Sequence, residues 1–456
     1  MSFSESEPSL EQHELATPEH CHALMTKGGS ADKLPPDMLA VDTGQPKLPA
    51  AELRNPSSQE EVDALYRQTI RDGIVDHHGI DASVTMPAGV DRRCAAKMVA
   101  DFPDEVVALI KRRDIRSVSG HMDSDLDSIT ATYFSKILVD KRSVDAMPSF
   151  SQRLADVVNL LDYGRFLEPN ADRFVKTLPG YFGALKTQTL GKMGAEIGAV
   201  WRSADIPGNE KPARAQEVSN KWHGELMKHM FAVYNACAGA EAAGRAVNFN
   251  DLDAAKLSLP SETAALLKKG QEQTHDEFEK FNGEFEKAVR GTTTVVAKDG
   301  RALVVPTILF AETRLNPLLI TNLTYSRMPP ETIVMVYAGQ DRQQGGDCYD
   351  VGIKVETASD LFDIAFLEAP LNAAEAELRA PILADLLEKQ AAGSISEEDG
   401  KRLALWTTLR KGKEYLGHGD PTVAVAGNSL IAASNTSLLT RDGFVAVMDS
   451  VMAEKS

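Results

Sequence analysis

One histidine and three aspartates stand at alternate positions, His121, Asp123, Asp125 and Asp127, in the stretch Gly120-His-Met-Asp-Ser-Asp-Leu-Asp-Ser-Ile129. Imidazole and carboxylate groups crowded this closely repel one another unless a cation sits among them. The plain alternative is an acidic, solvated loop that caps a helix. Upstream, the β-branched run Ile115 to Val118 reads as a buried strand. Downstream, Ile129, Tyr133 and Ile137 recur at helical spacing, with Asp127 or Ser128 expected as the cap. The acids therefore fall at the carboxyl end of a strand, where open α/β sheets bind their ligands.

Two further stretches repeat this arrangement. In Gly73-Ile-Val-Asp-His-His-Gly79, the apolar pair Ile74 and Val75 is followed by Asp76, His77 and His78. In Met38-Leu-Ala-Val-Asp-Thr-Gly44, an apolar strand ends in Asp42. Three strand-then-acid units imply one sheet with one polar edge. Neighbouring histidines can divide the work, one as a metal ligand and one as a donor to an anionic substrate.

VDHH together with GHMDSDLDSI resembles the DHH phosphoesterase family, which includes manganese pyrophosphatases, exopolyphosphatases and oligonucleotide phosphodiesterases. The family's first motif, His-x-x-x-Asp-x-Asp-Ser, falls on His121, Asp125, Asp127 and Ser128. Its second falls on Asp42, the DHH motif on Asp76, His77 and His78, and the fourth on Asp162. The family runs these motifs one to four, whereas this chain runs two, three, one, four, as though circularly permuted. Parallel strands keep their carboxyl ends on one edge whatever their chain order, so a site could survive permutation.

The resemblance implies two divalent cations, best Mn²⁺ with Mg²⁺ as the other choice for mixed carboxylate and imidazole ligands. One would take His121, Asp125 and Asp42, the other Asp127, His77 and Asp162, with Asp42 shared. His78 would hold the scissile phosphate and Asp76 would orient the histidines. Asp123 is a spare acid beside the site. Removing Asp127 is expected to leave the fold intact or firmer, because one of several crowded carboxylates goes. Towards the C-terminus, Leu416-Gly-His-Gly-Asp420 is similar to the glycine-rich loop of the DHH-associated substrate-binding domain. Gly417, His418 and Gly419 would then contact substrate, with Lys354 as the basic residue of a preceding strand.

The elements around these residues alternate β and α, which implies a parallel, doubly wound sheet with helices on both faces. At 456 residues, two or three domains are expected. Residues 1–36, rich in Ser, Glu and Pro, read as a poorly ordered tail. Residues 37–170 read as a DHH-like catalytic domain, with helices over Gln59–Ile70 and Ala95–Lys111, the latter divided by Pro103. The amphipathic stretch Ser151 to Phe166 would carry Asp162 toward the core side. Residues 171–290 read as a helical insertion or linker anchored by Trp201 and Trp222, and 291–456 as a smaller α/β substrate-binding domain. Net charge −17 argues against a broad nucleic-acid surface. Four scattered cysteines indicate neither a disulfide framework nor a zinc site. With no apolar run of membrane-spanning length and no signal-peptide pattern, the cytoplasm is the expected compartment.

Expected substrates are short oligonucleotides or cyclic dinucleotides. The pyrophosphatase or exopolyphosphatase reading, and that of a non-catalytic nucleotide-binding protein, stand beside it. The partner is then a phosphate-containing small molecule or short oligonucleotide, with no membrane, and a homodimer is among the assemblies left open.

Overall fold

A computed structural model describes residues 16–25, 35–43, 55–84, 86–87, 89–121, 125–203, 205–297, 300–311, 320, 323–329, 331–341, 346–352, 368–396, 399–400, 403, 423–426, 429–432 and 446–447. The protein is mixed α/β and divides into two units, Met1–Phe166 with Asn170–Asp276, and Leu167–Pro169 with Glu277–Ser456.

The first unit is built on a four-stranded, all-parallel sheet. Its strands are β1 (Cys21–Met25), β2 (Met38–Val41), β3 (Ile74–Val75) and β4 (Ser117–His121), in the order β1-β4-β2-β3. Between β2 and β3 lies α1 (Gln59–Asp72), capped by Ser58, whose side chain accepts from the Glu61 amide. Gly73 ends it at φ 102, a left-handed turn that favours glycine. Then follow α2 (His78–Ser83), α3 (Ala95–Asp101) and α4 (Pro103–Arg113), so Pro103 opens a new helix where its missing N–H is harmless. α5 (Leu126–Lys141) is buried over almost its whole length. Its cap is Asp125, whose side chain accepts from the Ser128 amide, rather than Asp127 or Ser128. Next comes α6 (Ser151–Asp162), with Leu154, Val157 and Val158 buried.

Two sequence expectations are corrected here. The stretch read as a tail contributes β1, which pairs in parallel with β4 and so supplies the sheet's outermost strand on that side. Asn235 holds its approach, donating to the Ala16 carbonyl at 2.8 Å. The helical region read as a separate insertion over 171–290 belongs, as far as Asp276, to the same unit as this sheet. The reason is apolar: after the single turn α7 (Ala171–Phe174), α8 (Leu178–Arg202) and α9 (Lys211–Ala242) bury their faces within it. Phe231 and Tyr234 of α9 meet Tyr133 of α5, with ring centroids 5.0 and 4.9 Å apart. The Tyr234 hydroxyl lies 2.7 Å from that of Thr130. Trp201 anchors nothing, being 52% exposed in the last turn of α8, where the core has ended. Trp222 is half-buried, with Lys192 and Lys221 over its ring.

α10 (Ser261–Lys287) runs from the first unit into the second. There β5 (Val289–Val296), β6 (Ala302–Ala311), β7 (Ile333–Asp341), β8 (Gly346–Gly352), β9 (Val423–Ala426) and β10 (Ser429–Ala432) form one sheet in the order β5-β6-β7-β8-β10-β9. Only the β6–β7 pairing is parallel. Phe281, Phe285 and Phe310 pack together in its core. No helix among the described residues is long and apolar enough to cross a membrane.

Candidate metal centre

The three parallel strands β2, β3 and β4 all end at the same edge, and each delivers its polar residues there. β2 runs into Asp42, whose φ of 47 turns the chain left-handed, a conformation that Asp and Asn tolerate better than most residues. The Asp42 amide donates to the Val75 carbonyl at 2.8 Å, which ties the end of β2 to the end of β3. β3 leads into Asp76, His77 and His78 at the start of α2. β4 ends on His121, and Asp125 and Asp127 follow at the start of α5. Asp162 is the last residue of α6.

These side chains interleave. His121 Nε2 lies 3.2 Å from both Asp42 Oδ2 and Asp125 Oδ2. His77 Nε2 faces Asp162 Oδ2 at 3.5 Å, and Asp42 Oδ1 and Asp127 Oδ2 at 3.9 Å each. Asp42 thus turns one oxygen toward each histidine. Potential ligand atoms of Asp42, His121 and Asp125 lie within 4.8 Å of one another, as do those of His77, Asp127 and Asp162, and those of Asp42, His77 and His78. Both Asp42 oxygens and His77 Nε2 are buried without a well-aligned hydrogen bond, Asp42 Oδ2 meeting only the His121 ring nitrogen at 3.2 Å. Buried polar atoms are expensive to leave unmatched, so convergent ones fit a cation between them. The donor set, oxygen plus imidazole nitrogen, suits a divalent ion such as Mn²⁺.

Burial alone would drive the Asp127 carboxyl above its ordinary range, and Asp42 and Asp162 push it further the same way. Asp162 is raised to about 6, mainly by burial, against the opposing pull of His77. Burial draws the His121 imidazole down, but Asp125 and Asp42 outweigh it and hold the group at about 10. His77 likewise stays well above an ordinary histidine, burial being overcome by Asp162 and Asp81. The cluster therefore holds protons where an ion would otherwise balance its charge.

Asp127 is fixed from behind, its oxygens accepting from the amides of Ala95 at 2.8 Å and Ala96 at 2.7 Å. The loop entering α3 is itself pinned by Asn159 of α6, which accepts from the Cys94 amide and donates to the Arg92 carbonyl. Asp76 does not face the ligand atoms. Its Oδ1 accepts from the His78 amide at 2.8 Å and lies 3.0 Å from His78 Nδ1, while Oδ2 accepts from the Thr43 amide and hydroxyl. Burial raises this carboxyl, yet the His78 contacts prevail and hold it well below the usual range. With Nδ1 engaged, His78 keeps Nε2 for another partner. The side chains of His78, Asp125 and Asp162 are 29, 35 and 22% exposed, marking the side from which a ligand could enter.

No family model matches the chain, and no curated protein or solved structure matches it. The structure brings together Asp42, Asp76, His77, His78, His121, Asp125, Asp127 and Asp162. Asp123, Lys354, Gly417, His418 and Gly419 lie outside the described residues. Sequence reading passed over Asn159 and Thr43, which hold the cluster in place, and over Asp81 and Tyr163, which stand beside His77. Asp81 carried a usable signal, since it stands one helical turn after His77.

Proposed function

We propose that the chain is a two-metal-dependent phosphoesterase of DHH type with permuted motif order, hydrolysing phosphodiester bonds in short oligonucleotides or cyclic dinucleotides. The observation that carries this reading is the convergence of four buried or half-buried carboxylates and two imidazoles from four separate stretches, with Asp42 between two triplets of ligand atoms. Asp42, Asp125, Asp127 and Asp162 together bear four negative charges when ionised, which two divalent cations would neutralise. His121, Asp125 and Asp42 would hold one ion, and His77, Asp127 and Asp162 the other. Bound there, such ions supply an activated water and neutralise the phosphate.

The chain's own residues supply the rest. Asp76 orients His78, leaving Nε2 on the open side to donate to a phosphate oxygen and stabilise charge developing there. The amides of Ala95 and Ala96 keep Asp127 from swinging away. The preference for phosphodiesters over pyrophosphate or polyphosphate rests on the C-terminal resemblance at Gly417, His418 and Gly419.

Release of phosphate, nucleotide or p-nitrophenol from a dinucleotide, a cyclic dinucleotide, pyrophosphate, polyphosphate and bis-p-nitrophenyl phosphate, measured with Mn²⁺ and with Mg²⁺, tests this. Mn²⁺-dependent cleavage of the dinucleotides, lost in His77→Ala, is expected. Turnover of pyrophosphate alone would transfer the assignment to the pyrophosphatase alternative. Cation binding without hydrolysis of any of the five would leave a binding protein.

A further inference from the structure

Behind His77, on the side away from the ligand atoms, stands a pair of residues to which nothing so far gives a role. His77 Nδ1 lies 2.8 Å from Asp81 Oδ2. The Tyr163 hydroxyl donates to the same oxygen at 2.8 Å and lies 3.2 Å from His77 Nδ1. The Tyr163 ring sets its edge against the imidazole, with centroids 5.6 Å apart. Asp81 Oδ1 is buried and accepts nothing, so the carboxylate spends its whole hydrogen-bonding capacity on one oxygen shared by His77 and Tyr163.

The backbone builds this clamp from both sides. Asp81 follows His77 by one turn of α2, and its amide donates to the His77 carbonyl at 2.9 Å. Tyr163 follows Asp162 directly at the end of α6, so one chain segment delivers both a candidate ligand and its brace. An imidazole whose Nδ1–H is donated to a carboxylate is fixed in one tautomer and one ring orientation, with the Nε2 lone pair aimed forward. Here forward is toward Asp162, Asp127 and Asp42.

We propose that Asp81 and Tyr163 are positioning residues that lock His77 in the tautomer presenting Nε2 to the cation held with Asp127 and Asp162. The proposal rests on the two-metal reading of the centre, and it makes a site-selective claim. Losing the clamp should weaken one ion and spare the other, which His121, Asp125 and Asp42 would hold. Outer partners of a metal-bound histidine typically change affinity about 10–100-fold.

Calorimetric titration of the full chain with Mn²⁺ tests it. Wild type should take up two ions. Tyr163→Phe, which keeps the ring packing, and Asp81→Ala should each weaken one of the two steps about 10–100-fold. Asp81→Asn, which keeps an acceptor for Nδ1–H, should fall between Asp81→Ala and wild type. At a Mg²⁺ concentration that just loads wild type, ¹⁵N-histidine NMR should show His77 protonated at Nδ1 alone, and in Asp81→Ala part of His77 should leave that state because its ion is released. Should Asp81→Ala fail to fold, Tyr163→Phe and Asp81→Asn carry the measurement. Unchanged affinity at both steps in folded variants, or equal loss at both, overturns the clamp. A wild-type chain that binds no cation overturns the two-metal reading, and the clamp with it.

Discussion

At the scale of single residues, the centre is a reservoir of protons. His121, held at about 10, and His77, also raised, keep protons that unfolded histidines release near their ordinary value. Asp162, near 6, and Asp127 keep protons that unfolded aspartates have already lost. All four shifts make the metal-free folded state bind more protons than the unfolded one, so its stability falls as pH rises. The histidine share is complete below the unfolded histidine pKa and is lost as pH climbs toward about 10. The metal-free thermal midpoint is therefore expected to drop between pH 6 and pH 9, while Mn²⁺ affinity climbs over the same range because the ion displaces those protons. Calorimetry in buffers of different ionisation heat should register the released protons, and a pH-independent affinity would contradict the cluster as described.

Substitutions within the cluster should separate by what holds each carboxylate. Asp42 is held by the His121 ring nitrogen 3.2 Å away, and Asn tolerates its left-handed backbone. Asp42→Asn removes one of the charges that hold His121 protonated, so it should lower metal-free stability as well as remove cation binding. Asp127→Ala strips the acceptor from two amides, at about 1–3 kcal/mol for each buried group left unmatched. It should lower the metal-free midpoint, which reverses the expectation, drawn from charge crowding alone, that the fold would be intact or firmer. Denaturant titration of both variants in chelator measures the difference.

At the scale of elements, a close crossing of helices offers a direct test. A Cβ on Gly270 of α10 would stand 2.4 Å from the carbonyl oxygen of Ala184 in α8. Gly270→Ala should therefore destabilise by about 1–3 kcal/mol, although alanine is the better helix former. A more stable variant in urea would show that the crossing has room to relax. The strand-then-acid pattern was readable because β2, β3 and β4 are short apolar runs whose polar successors had one place to go. Asp162 was readable through the resemblance to the family's fourth motif, and the amphipathic period of α6 only turned it toward the core side. The cap of α5 was misread by two residues, since Asp125, Asp127 and Ser128 are all competent caps and only the backbone path decides among them. The placement of α8 and α9 was not readable, because helical periodicity says which face is buried but not against what. Trp201 shows the limit of reading size as burial, for a large ring at a helix end can be left in solvent.

At the scale of the molecule, the candidate centre belongs wholly to the first unit. Scanning calorimetry should resolve two transitions, of which only one responds to cation. At a free concentration about 100 times the dissociation constant of each site, Mn²⁺ should add about 2.7 kcal/mol per bound ion to that unit alone. Chelator should remove the gain, and a shift of both transitions together would mean that the units unfold as one.

The N-terminal strand bears on what happens when the chain is shortened. β1 covers the edge of β4, which otherwise presents a row of unpaired backbone donors and acceptors to the solvent. Trimming the first 34 residues, as their composition invites, would strip β4 of the backbone partner it has in β1 and make it the edge strand. The shortened protein should keep its cluster residues yet self-associate, and light scattering during refolding at rising concentration would show it.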